Sequence, residues 1–203
     1  MSTRYFYEPR MGHGLAHNPI ASIVGPRPIA WISTVNRNGQ LNLAPYSFFG
    51  IFNYAPPIIA FASDGIKDTL KTAIEMGEFV VNTVTDDLAE AMNLSSASIE
   101  GSEFELTNLE SSPSSLISTP RVARSLVSLE CQVVSHFTLK DREGLPLASH
   151  MLIAEVVGVS IDKRLIQGSN FDWGDLSRIV RSGGPADYYS VGSGNLKKMR
   201  RPA

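Results

Sequence analysis

Apolar residues in this chain fall in short runs separated by clusters of glycine, proline and asparagine. That pattern predicts many short strands and few helices. Residues 29–35 are β-branched and aromatic and read as a strand. Asn36, Arg37, Asn38 and Gly39 then offer the positive φ angles of a hairpin turn, and residues 40–44 start the return strand. Pro45 cannot donate to a ladder, so the return strand should break or bulge where Tyr46 and Ser47 begin. Upstream, Gly25-Pro26-Arg27-Pro28 splits the apolar run 20–24 from 29–35. Proline fixes φ and forces its predecessor extended, which predicts a kinked β lead-in and no helix. Residues 58–62 form a further strand, launched from Pro56-Pro57 and ended by Ser63-Asp64-Gly65.

Residues 68–77 give the clearest helix. Asp68 is a good N-cap, Leu70, Ala73 and Ile74 form one apolar stripe, and Gly77 suits the left-handed C-terminal position. Residues 79–84 return to β character, and Asp86-Asp87 can cap a second helix through Leu88, Ala91, Met92 and Leu94. Residues 95–120, rich in serine and asparagine, read as a surface excursion with a helical turn near Glu103-Phe104-Glu105. Residues 126–139 and 151–161 are long strands joined by a charged turn, with Val127, Leu129, Cys131 and Val133 marking one buried face. A short helix is expected around 175–180. The sum is a barrel or sandwich, without the helix–strand alternation of a Rossmann fold.

With 203 residues and a hydrophobic fraction of 43%, the chain can bury a full core as one domain, or one with an elaboration. A net charge of −2 gives no electrostatic footprint for nucleic acid or an acidic membrane. The single cysteine, Cys131, excludes an internal disulfide and sits in an apolar run as a buried, inert thiol. No apolar stretch is long enough to cross a bilayer, and residues 1–10 lack a hydrophobic signal core. The expectation is a soluble, cytoplasmic protein. His13 and His17 could share a metal only on a helix, which Gly12 and Gly14 disfavour, so the lead-in reads as solvated or interfacial.

The helix start at 67–69 offers unpaired N–H groups and a positive dipole end, with a charge from Lys67 and a hydroxyl from Thr69. On these residues alone, an ordinary capped helix with a solvated lysine accounts for the pattern. Arg27 is aimed by the prolines on either side and its fork matches phosphate, although a surface arginine fits equally. Around Pro45, backbone groups with the Asn42 amide and Ser47 hydroxyl could meet a planar hydrogen-bonding ligand. Tyr46, Phe48 and Phe49 would wall it or fill a core, and Trp31 reads as core. Ser33 and Thr34 are neighbours on one strand, so only one points inward. There is no G-x-S-x-G, P-loop or G-x-G-x-x-G. Ser160 to Lys163 fits S-x-x-K on an apolar strand without supporting motifs, and His136 and His150 stand apart as structural residues.

Three motifs in order carry a resemblance: PRPIAWIST at 26–34, NLAPYSFF at 42–49, and Lys67-Asp68-Thr69. A late segment, Ser177-Arg178 and Gly183-Gly184-Pro185-Ala186-Asp187-Tyr188, extends it. The chain resembles the flavin reductase-like, FMN-binding split-barrel family, which includes reductase components of two-component flavin monooxygenases and flavoredoxin-like proteins. The resemblance implies a mainly β split barrel with a few short helices over 21–193, between an irregular lead-in at 1–20 and a basic tail at 194–203. It implies bound FMN, with Lys67 and Thr69 at the phosphate. Arg27, Ser63 and one of Ser33 and Thr34 would be further contacts. The flavin cradle would be Asn42, Leu43, Ala44, Pro45, Tyr46 and Ser47. Tyr188, with Arg178 and Asp187, would fold back near the flavin or a partner subunit, although an ion pair with an aromatic plug explains them as well. Asp68 caps its own helix, because its charge repels phosphate. The resemblance further implies a homodimer, NADH or NADPH as co-substrate and a monooxygenase as partner, with no nucleic acid and no membrane. It singles out no catalytic side chain. An FMN-bearing electron carrier reduced by a protein, and a non-catalytic flavin-binding protein, are the competing functions.

Overall fold

The computed structural model describes residues 3–172, 177–195, 197 and 199–200. A lead-in with a single helical turn, α1 (Ile20–Ile23), reaches β1 (Arg27–Pro28) and β2 (Ala30–Val35). The chain continues through β3 (Leu41–Tyr46), β4 (Phe49–Tyr54), β5 (Pro57–Asp64), helix α2 (Asp68–Met76) and β6 (Glu78–Asn82). Helices α3 (Ala89–Leu94) and α4 (Glu103–Leu106) and the two-residue strands β7 (Ser111–Ser112) and β8 (Arg121–Val122) form an excursion. The long hairpin β9 (Val127–Lys140) and β10 (Pro146–Ile161) follows, then β11 (Ile166–Gln167), β12 (Asn170–Phe171), β13 (Arg178–Arg181) and β14 (Tyr188–Val191).

Seven strands form one antiparallel sheet in the order β3-β2-β6-β9-β10-β5-β4. The sheet curls until Tyr46 at the end of β3 meets Phe61 of β5, with ring centroids 4.9 Å apart. Inside lie Ala30, Ile32, Ile59, Phe61, Phe79, Val81, Cys131 and Leu152, and α2 closes the barrel by burying Leu70 and Ala73. The alternation expected in β9 is present: Val127 and Cys131 are buried, and Leu129 and Val133 pack on this core. Burial pushes the Cys131 thiol pKa well up, so it stays protonated. No helix among the described residues is long and apolar enough to cross a membrane.

Several expectations change. Residues 20–23 turn helically, because the Asn18 side chain accepts the Ile20 N–H and Pro19 offers its carbonyl to Ser22 and Ile23. Pro45 does not break β3, which pairs Pro45 with Trp31 and Tyr46 with Ala30. β3 is an edge strand. The Leu43 N–H, of the same parity as Pro45, points outward to a Glu103 oxygen at 3.0 Å. The donor that proline lacks is therefore an outward one, and no ladder bond is lost. The cap of α2 is Lys67, with Asp68 in its first turn, and Gly77 takes the expected left-handed conformation at φ 74°. Residues 178–181 are a strand and not a helix, whereas Asp175 lies outside the described residues.

The 95–120 excursion is more than a surface loop. Phe104, Leu109 and Val122 enter a second core on the far face of β2, with Trp31, Leu43, Leu88 and Met92. Barrel side chains tie it down. Glu78 accepts from the Thr119 N–H, buried Glu130 accepts from the Ser115 and Leu116 N–H groups, and the Asn82 amide oxygen accepts from Val122.

Candidate functional site

The register of β2 and β3 decides where the motif side chains go. Thr34 pairs with Asn42 and Ser33 with Leu43, so the first pair shares the barrel face and the second turns to the second core. Ser33 donates to the Pro120 carbonyl at 2.7 Å and accepts from Asn82 at 3.1 Å. Leu43 is buried in the same core. Thr34 is fully buried and its hydroxyl has no hydrogen-bond partner among the described residues. Neither Ser33 nor Thr34 reaches solvent.

Seven of the expected residues surround one cleft of about 700 Å³: Asn42, Ala44, Pro45, Tyr46 and Ser47 from the β3 end, and Lys67 and Thr69 from the start of α2. The two elements are joined there, because Asn42 Nδ2 donates to Thr69 Oγ1 at 2.7 Å. No side chain caps the first turn of α2, so its leading N–H groups are left to solvent or a ligand. Four carboxylates, Asp64, Asp68, Glu100 and Glu103, line the cleft beside the single cation Lys67. Anion binding is therefore confined to the helix tip and Lys67, and hydroxyl donors suit the rest of the wall.

Tyr46 carries the sharpest signal. It is buried at the cleft wall, and its hydroxyl has no hydrogen-bond partner among the described residues. Burial raises the phenol pKa, opposed by the nearby Thr69 and Ser63 hydroxyls, neither of which completes a bond of ordinary geometry. Ser63 itself is buried and donates to the Gly65 carbonyl at 2.8 Å.

Two expected residues lie elsewhere. Arg27 borders a neighbouring apolar groove that shares Ser47 and Phe48 with the cleft. Tyr188 stacks on Arg181, 4.6 Å from the guanidinium to the ring centroid, beside α3. The sequence reading missed the opposite wall, residues 95–100 with Glu103. Its anchors are Ser95, which accepts from the Trp31 indole at 2.9 Å, and Glu103 on the β3 edge. A serine-rich stretch carries no spacing that announces such a role.

A curled antiparallel barrel with a polar, helix-tipped cleft on its flank defines a split-barrel protein whose candidate site lies outside the core. A family model described as flavin reductase like domain matches residues 25–173, and the chain belongs to that family. Nitrilotriacetate monooxygenase component B from Bacillus cereus is 31% identical, with a TM-score of 0.80 over 88% of this chain and 90% of its own. The 2-nitrobenzoate 2-nitroreductase NbaA of Pseudomonas fluorescens is also 31% identical, with a TM-score of 0.79 over 90% of this chain and 88% of its own. A split barrel domain protein from Shewanella frigidimarina is 25% identical, with a TM-score of 0.75 over 91% and 89%.

Proposed function

We propose that the cleft holds FMN and that the protein is an oxidoreductase which reduces flavin with NADH or NADPH, supplying it to a monooxygenase or passing electrons onward. The observation that carries this reading is the buried, unpartnered Tyr46 hydroxyl at the wall of a cleft that ends on an uncapped helix. The cleft volume falls within the range of small-molecule sites. Lys67 and the leading N–H groups of α2 would bind the phosphate, and Thr69, held by Asn42, would orient it. Ala44, Pro45, Tyr46 and Ser47 would seat the ring system, and the carboxylates would accept from the ribityl hydroxyls. Bound FMN would supply the redox chemistry; the chain binds, orients and shields it. Ser33, Leu43 and Ser63 would act behind the wall by fixing β2, β3 and the β5 end, and Thr34 lies on the barrel face beside Asn42. The exposed apolar residues of β4 support a homodimer through that strand.

The test is a visible spectrum of the purified protein with an FMN titration, then anaerobic addition of NADH and NADPH. Saturable binding followed by bleaching is expected. A chain that binds no FMN refutes the reading, and bleaching by a protein donor alone would make it an electron carrier. Lys67→Ala should weaken FMN binding by about 1–3 kcal/mol, the range of a charge-assisted hydrogen bond. An unchanged titration would remove Lys67 from the site.

A further inference from the structure

The cleft does not end at the tip of α2. A second hollow of about 710 Å³ continues from it and shares Asn42, Asp68 and Ile99 with it. One side of this hollow is the flank of α2, with Lys71, Thr72 and Glu75; the other is the start of α4, with Ser102 and Glu105. Lys67, Lys71 and Glu75 follow at four-residue spacing, so they form one stripe leading from the helix tip along the hollow. The hollow is about as large as the cleft, and its volume would take the adenylate half of a flavin dinucleotide. Shape alone would therefore admit FAD as well as FMN.

Charge changes along the same path. At the tip, the leading N–H groups of α2 and the Lys67 ammonium favour an anion. One turn further the helix amides are already engaged, and the Lys71 N–H donates to the Lys67 carbonyl at 2.9 Å. Among the described residues lining the hollow, Lys71 is the one cation, against Asp68, Glu75 and Glu105. None of these three carboxylates enters a salt bridge among the described residues, whereas Asp87, Asp141, Glu143 and Asp162 all meet arginines. All three are exposed, so their charges act through solvent.

We propose that Glu75 and Glu105, with Asp68 at the shared rim, make the site selective for the mononucleotide by repelling the second phosphate of FAD from a hollow that has room for it. The inference rests on the flavin reading of the cleft. A phosphomonoester keeps all of its charge at the helix tip. The diphosphate of FAD moves part of that charge past Asp68, to where no free amide and only Lys71 oppose the carboxylates. Selection of this kind works by an unfavourable contact with the wrong ligand, not by a better contact with the right one.

Fluorescence titration of the flavin-free chain with FMN and with FAD, at low and at high salt, tests the proposal. FMN should bind about tenfold more tightly than FAD at low salt, and the gap should narrow as salt screens the exposed carboxylates. The Glu75→Gln, Glu105→Gln double variant should tighten FAD binding about fivefold and leave the FMN Kd unchanged. Glu105→Lys should tighten FAD binding by itself. Equal affinity of the unsubstituted chain for both flavins would overturn the proposal. So would a gap that neither salt nor the double variant narrows, which would make the selection steric. A chain that binds neither flavin would instead refute the flavin reading, and this inference with it.

Discussion

The Tyr46 hydroxyl is buried at the cleft without a partner, and a hydroxyl in that state costs about 1–3 kcal/mol. Tyr46→Phe should therefore leave the flavin-free protein as stable or about 1 kcal/mol more so in urea unfolding, while weakening FMN binding. A clear loss of stability would mean that the hydroxyl is already satisfied. The phenol also predicts a pH dependence. Its pKa is raised in the folded state, above an ordinary value of 10.0. The folded chain thus holds the proton more tightly than the unfolded one. That contribution is complete below the unfolded value and is lost as pH rises through the folded one. Stability against pH in the alkaline range should fall less steeply in Tyr46→Phe than in the parent chain.

Among the elements, β3 depends most on a residue far from it in sequence. Glu103, in the first turn of α4, accepts the outward N–H of Leu43 and holds the second cleft wall against the strand. Glu103→Ala should cost about 1–3 kcal/mol in urea unfolding, and Glu103→Gln, whose amide oxygen can still accept, should recover most of it. The same contact explains what the sequence could and could not disclose. Residues 29–35 and the 68–77 helix were legible because periodicity and end signals are local. Asn42, Pro45, Ser47 and Lys67, which sit in contiguous motifs, lie together at one cleft. The continuity of β3 through Pro45 was not legible, since it depends on which side of the strand is an edge. Strand β4 was missed because its residues are mostly exposed and show no buried alternation. The turn at 20–23 was misread because the Asn18 cap outweighed the prolines downstream.

For the whole molecule, the decisive feature is the asymmetry between its two flanks. The β3 side is covered by the excursion, with Phe104 and Leu109 buried beneath it. The β4 side leaves Phe48, Ile51, Phe52 and Tyr54 in solvent, the last 85% exposed. Apolar residues left exposed along an edge strand are what a subunit contact would cover. Sedimentation equilibrium should find a dimer, and a Phe52→Asp, Tyr54→Asp double variant should sediment as a monomer that keeps its far-ultraviolet circular dichroism. A monomeric parent chain would reject this.

Pro45 has a consequence beyond its own strand. A foreign strand docking beside β3 would find one amide missing and the Leu43 amide already taken by Glu103. Within the seven-stranded sheet the β4 border alone stays open to pairing, so that sheet carries one sticky rim instead of two. Copies that join there exhaust their valence on meeting, and growth into fibres has no second handhold.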